Sequence, residues 1–167
     1  MKADYIFKDT LHCMLNALTN ENRLALETSM QTGLRISDVL ELKTDKLSSK
    51  MTIKELKTNK SKRFYLNVEL LHELKKIAGK IYIFEGRNDV TKHRTRQAVY
   101  KDLKRVAKMY RIDKSLQISP HSARKCYAVE QYHKDNDLKR VQKLLNHSTE
   151  AVTMIYAFAD IITNKRK

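Results

Sequence analysis

Pro120 is the only proline of the chain, and Gly33, Gly79 and Gly86 are its only glycines, in 167 residues. A backbone with so few breakers is committed to long regular elements, because proline and glycine are what most often end a helix or bend a strand. Hydrophobic residues make up 41% and charged residues 32%. That balance supports a core and argues against disorder. The length fits one domain, and a second independent one would be cramped.

Periodicity fills in the elements. Helices are predicted over about residues 8–18 and 21–32, the second closed by Gly33, with a short helix opening near Arg35 or Ser37 on Ile36, Val39 and Leu40. From 51 the pattern becomes strand-like: MTIKEL (51–56) and RFYLN (63–67) flank the polar KTNKSK, which reads as a hairpin with a basic loop. Asn67 can cap a helix over about 68–78, and IYIF (81–84) reads as a third strand. Val99, Leu103, Val106 and Tyr110 give an amphipathic helix over about 95–110. Ser119 and Pro120 open another over about 120–134. Asp137 caps the next, buried through Leu138, Val141, Leu144 and Leu145. The last helix, about 149–159, presents Val152, Ile155, Tyr156 and Ala159 as its apolar face. The expected class is α+β, mainly α, with a small antiparallel three-stranded sheet.

Thirty-four lysines and arginines stand against 19 acidic residues, a formal net charge of +15. Such a domain is expected to bind a polyanion, nucleic acid first among candidates. No apolar run reaches the length of a membrane span, and the start MKADYIFKDT lacks the unbroken apolar core of a signal peptide, so a cytoplasmic location is expected. Cys13 and Cys126 are too few and too far apart for a disulfide framework or a zinc site, and both are read as packing residues.

Four separated segments carry chemistry: TGLRISDVLEL (32–42), KTNKSKRFYL (57–66), HSAR (121–124) and NHSTEAVTMIY (146–156). In this order they resemble the catalytic domain of the phage integrase, or tyrosine recombinase, family, which carries Arg, Lys, His-x-x-Arg, His or Trp, and Tyr. The resemblance runs from the second helix to the tyrosine.

It implies that Arg35 and Arg124 clamp a scissile phosphate. A guanidinium offers a planar, always charged fork to non-bridging oxygens, and two of them stabilise a pentacoordinate transition state. Read alone, Arg35 is a surface arginine at a helix start and His121 a cap or packing residue. Within the family pattern His121 assists removal of the tyrosine proton, and His147 hydrogen-bonds the phosphate. Lys57 is taken as the lysine that protonates the departing 5′ oxygen, chosen by its offset to Arg63 and Leu66, with Lys60 second and Lys62 in the same loop. Tyr156 attacks phosphorus to give a 3′-phosphotyrosyl link; a phenol with a pKa of about 10 needs a base and nearby cations to do so. The link conserves the phosphodiester energy, so neither cofactor nor metal is implied.

Some positions depart from the pattern. Asn146 stands where the family usually has glycine, and both residues tolerate a left-handed backbone. Lys125 stands where a second histidine is common. Asp38 occupies a usually acidic position, readable as an orienter of the arginines or as an ordinary salt bridge. The resemblance sets the expectation of a single catalytic domain over 1–167 without the family's N-terminal DNA-clamping domain, acting on a double-stranded recombination site as a homo-tetramer, or monomeric when isolated. Arg87, Lys92, His93, Arg94, Arg96, Lys101 and Lys104 are candidate backbone-phosphate contacts. The tail IITNKRK (161–167) stays open between local packing, fraying and docking on a neighbouring protomer. Two further readings stay open as well: a DNA-binding regulator on this fold, and a type IB topoisomerase.

Overall fold

A computed structural model describes residues 3–164. Its helices are α1 (Lys8–Leu15), α2 (Asn20–Thr32), α3 (Ile36–Leu40), α4 (Val68–Ile77), α5 (Arg96–Met109), α6 (His121–Asp135), α7 (Leu138–Leu145), α8 (Glu150–Ala157) and α9 (Ala159–Asn164). Strands β1 (Lys50–Lys54) and β2 (Ser61–Tyr65) form an antiparallel hairpin between α3 and α4. The tail expectation falls partly outside the described residues, at 165–167.

Local chemistry sets the boundaries. α2 ends because Gly33 takes a left-handed conformation, φ 66°, and donates its N–H to Ser29 O at 2.9 Å. Asn67, Thr95 and Asp137 accept the N–H groups of Leu70, Ala98 and Arg140 and so start α4, α5 and α7. At α6 the capping residue is Pro120; the Ser119 hydroxyl accepts the His121 N–H at 3.2 Å.

The sheet has two strands among the described residues. The run 81–84 pairs instead with the segment after α3. The Ile83 N–H donates to Leu42 O, the Thr44 N–H donates to Ile81 O, and Lys43 and Tyr82 form an isolated bridge with the Lys43 ammonium 3.5 Å from the ring centre. Ile83 and Phe84 are buried there while Ile81 is exposed, so the second half of the run is core without being a ladder strand.

The main core runs from Tyr5 and Ile6 through Leu24, Leu34, Leu40, Met51, Phe64, Leu103 and Ile118 to Ala123 and Val129. α6 is its axle, buried from Ser122 to Val129 and packed on α2, α7 and α8. A smaller cluster of Tyr127, Ala128, Val141 and Leu145 seats Tyr156.

Four expected burials turn out otherwise. Tyr110 follows the end of α5 and is exposed, as is Cys13. Val152 and Ile155 face outward, and the inner face of α8 is Thr153, Tyr156 and Ala157. Thr153 is buried without penalty because its hydroxyl bonds the Thr149 carbonyl at 3.2 Å.

Candidate functional site

The turn after α2 is stitched by its own side chains. Ser29 Oγ donates to Leu34 O at 2.7 Å, and Thr32 Oγ1 accepts the Leu34 N–H at 3.2 Å. These bonds fix the backbone that delivers Arg35, the residue at the mouth of α3. Arg124, from the second turn of α6, is 1% exposed and donates to Gly33 O and Leu145 O, both at 2.6 Å. One guanidinium thereby ties the Arg35 turn to the end of α7.

A wholly buried carboxylate joins the two arginines. Glu55 Oε1 lies 3.2 Å from Arg35 Nη1 and 3.8 Å from Arg124 Nη1, while Oε2 accepts from Thr58 at 2.7 Å and Asn146 at 3.1 Å. Burial alone would raise the Glu55 pKa, but the bonds from Thr58 and Asn146 and the two guanidinium charges outweigh it and hold the carboxyl below its ordinary value. Asp38 does not make the expected contact. Its Oδ1 accepts the Leu56 N–H at 2.8 Å, pinning the hairpin to α3, and burial pushes its carboxyl up.

The hairpin turn follows directly. The Glu55 N–H donates to Lys60 O, the Asn59 N–H donates to Glu55 O, and Asn59 is left-handed at φ 56°. Lys57 and Lys60 project from this turn exposed, and the Lys57 charge is felt at His121. Lys62 behaves differently: it sits on β2 on the same inward face as Phe64, and it is buried.

His121 opens α6, half-buried beside Arg96, Tyr100 and Pro120. Burial lowers its pKa, helped by the charges of Arg124, Arg96, Arg35 and Lys57. His147 follows Asn146, which takes φ 52°, ψ 33° and so preserves the left-handed turn expected there. Its pKa falls to about 3, through burial first and then the Arg124 and Arg35 charges. Nδ1 lies 3.3 Å from the Thr153 hydroxyl, and the ring packs edge-on against Tyr156 with centres 4.9 Å apart. The Lys125 ammonium lies 5.6 Å from the centre of the same tyrosine ring. Arg124 and Tyr156 lie near enough to interact electrostatically.

All six expected residues therefore border one charged cluster, with Lys57 at its exposed edge. Sequence reasoning missed Glu55 and the inward direction of Lys62. Period-two alternation through Lys62, Phe64 and Leu66 was the signal for the second. Among the outer basic residues, Arg94 is occupied by Asn22 at 2.6 Å and His93 by Glu41 at 3.0 Å; Lys92 is exposed but paired with Asp89 at 3.0 Å, and Arg87, Arg96 and Lys101 are exposed.

The model of the phage integrase family matches residues 5–161. The chain belongs to the phage integrase family.

Among this integrase-family chain's curated relatives is a tyrosine recombinase of Thermosipho africanus (strain TCF52B), 29% identical over 164 residues, covering 92% of this chain and 56% of the relative. The tyrosine recombinase XerD of Lacticaseibacillus casei is 28% identical over 151 residues, covering 81% and 49%. The chain thus spans about half the length of the relatives it matches. In fold it is similar to a lambda integrase fragment (75-356) solved as a dimer bound to a COC' core site. The TM-score is 0.75 and the identity 20%, over 94% of this chain and 60% of the other. No described helix is long and apolar enough to cross a membrane.

Proposed function

We propose that this chain is the catalytic unit of a site-specific DNA recombinase that cleaves and rejoins strands through Tyr156. The observation that carries the reading is the convergence of Arg35 and Arg124 on one buried centre, with His147 packed on Tyr156 at its border. Two guanidiniums beside a phenol are suited to a phosphodiester, whose non-bridging oxygens gain charge as the phenol oxygen attacks.

In the proposed reaction a duplex recombination site places its scissile phosphate against Arg35 and Arg124. His121, whose lowered pKa favours the neutral ring, accepts the Tyr156 proton. The phenolate oxygen bonds phosphorus as the bond to the 5′ oxygen breaks, and Lys57, at the exposed turn, supplies a proton to that departing oxygen, which leaves as a 5′ hydroxyl. Lys60 is the second candidate for that donor. His147 bonds a non-bridging oxygen. Attack by another 5′ hydroxyl on the phosphotyrosine reverses these steps and needs no external energy source. The relatives' names and the DNA-bound neighbour support DNA as the partner, and exchange between two sites is proposed to proceed in a homo-tetramer.

The test is a nicked suicide duplex carrying the cognate site, analysed by denaturing electrophoresis. A covalent adduct in the wild type that vanishes in Tyr156→Phe is the expected result. Site-specific binding with no adduct would replace the enzyme by a DNA-binding regulator. Full cleavage by Arg35→Ala would remove the phosphate clamp from the mechanism.

A further inference from the structure

Lys62 is 7% exposed, and its ammonium nitrogen has no hydrogen-bond partner. A lysine this deeply buried ordinarily finds a carboxylate or a carbonyl, because an unpaired buried charge is among the costliest features a fold can carry. Here two carboxylates lend their charge but no hydrogen bond: Glu55 Oε2 accepts from Thr58 and Asn146, its Oε1 lies 3.2 Å from Arg35 Nη1 and 3.8 Å from Arg124 Nη1, and Asp38 Oδ1 accepts from Leu56, while neither residue bonds the Lys62 ammonium. The groups facing Lys62 come from every element around it. They are Arg35 and Asp38 at α3, Glu55 after β1, Arg124 on α6 and His147 after α7. The Tyr127 ring, one turn beyond Arg124 on α6, has its centre 5.7 Å from the Lys62 nitrogen.

The balance of these charges changes when a phosphate binds. In the free protein the two guanidiniums oppose a third cation beside them. A phosphodiester on Arg35 and Arg124 brings a negative charge into the same poorly screened region, and in-line attack adds a second. We propose that Lys62 is a positioning residue that takes up a proton from solvent when phosphate occupies the Arg35–Arg124 pair, matching the anion's charge from behind the arginines. This inference rests on the phosphate-clamp reading above. It assigns Lys62 a task distinct from that of Lys57, which reaches the solvent side of the cluster and serves the leaving oxygen.

Burial first, and then the Arg124 charge, pull the Lys62 pKa down to about 7. Protonation of a base in this position is thus open to control near neutrality. By reciprocity, a ligand that raises the proton affinity of Lys62 must itself bind more tightly as Lys62 is protonated. Phosphate affinity therefore strengthens as pH falls through the neutral range. His121 and His147 also feel the arginines, so a bulk pH dependence alone would not identify the group.

The test follows the Lys62 side chain directly, by NMR of lysine labelled at the ε-carbon, in the chain of residues 1–167. The signal is assigned by its loss in Lys62→Met, and the probe is dimethyl phosphate, whose single charge does not titrate between pH 5 and 10. The expected result is a midpoint near neutrality in the free protein that rises by about one pH unit or more at saturating probe. Probe affinity should correspondingly change by about tenfold across that range, and this change should be absent in Lys62→Met. A free-protein midpoint in the ordinary lysine range overturns the proposal. So does a midpoint that stays put while the Arg35 and Arg124 side-chain signals respond to the probe. If the arginine signals themselves do not respond, the phosphate-clamp reading fails and this inference with it. Should Lys62→Met fail to fold, Lys62→Gln assigns the same signal by its loss, and the wild-type titration is then read as before.

Discussion

Glu55 Oε1 stands 3.2 Å from Arg35 Nη1, and the glutamate that makes this contact is wholly buried at the foot of the hairpin carrying Lys57. The acidic partner of the arginine is thus supplied by the hairpin, not by the arginine's own helix. Glu55→Ala should take the counter-charge from the buried Arg124 and the partly buried Arg35 and destabilise the fold by about 3–5 kcal/mol. Urea denaturation at pH 7 measures it. A loss below about 1 kcal/mol would show that the carboxylate is dispensable to the cluster.

The sign of its pH dependence follows. The folded Glu55 carboxyl is held below its ordinary value, so its contribution is present above the unfolded pKa of about 4.3 and is lost as pH falls through the lower folded value. His147 acts in a neighbouring window. Its folded pKa of about 3 lies below the unfolded value of about 6.5, so the unfolded chain binds the extra proton and stability falls as pH drops from about 6.5 toward 3. His147→Gln should flatten the decline between pH 6.5 and 4.5, where Glu55 contributes little. Urea midpoints at pH 7, 6, 5 and 4.5 in both proteins would show it, and parallel curves would remove His147 as the cause.

Asn146 combines two roles that substitution can separate. Its left-handed backbone suits glycine, and its side chain donates to Glu55 Oε2 at 3.1 Å. Asn146→Gly should cost about 1.5–3 kcal/mol, because the lost hydrogen bond is to an ionised carboxylate. Asn146→Ala should cost about 1–2 kcal/mol more, because alanine strains at φ 52°. Equal losses in thermal or urea unfolding would mean that the turn relaxes.

Gly33 and Asn146 show what was legible in the sequence. Each lies at the end of a helical pattern, where a residue tolerant of positive φ identifies the stop, and the elements around the site follow from such local rules. The pairing of distant segments was not legible in the same way. IYIF has the composition of a strand, but Leu42 and Thr44 claim its backbone, a choice made by tertiary packing. Val152 and Ile155 were expected inside because they are apolar; Thr153 took the inner face because two hydrogen-bonding neighbours, Thr149 and His147, make its hydroxyl acceptable there. Lys62 was hidden by its residue type, since a lysine in a basic loop reads as solvated until its alternation with Phe64 is given weight.

Arg124→Lys should fail in two separable respects. A single ammonium cannot reproduce the fork that reaches Gly33 O and Leu145 O together, so stability should fall by about 1–3 kcal/mol. Adduct formation should drop by at least about 100-fold, measured at a temperature where circular dichroism shows the variant folded. Near-normal cleavage in the folded variant would make Arg124 a purely structural residue.

The two hydrogen bonds of Arg124 also join segments far apart in the chain. Gly33 lies early in the chain and Leu145 late, and each surrenders a carbonyl to the same side chain. Neither half can rehearse this arrangement in isolation: a nascent chain that has not yet produced Leu145 holds Arg124 with one side of its fork unanswered. The arginine of the site is therefore seated only once early and late segments have met, a non-local closure of the kind that slows folding.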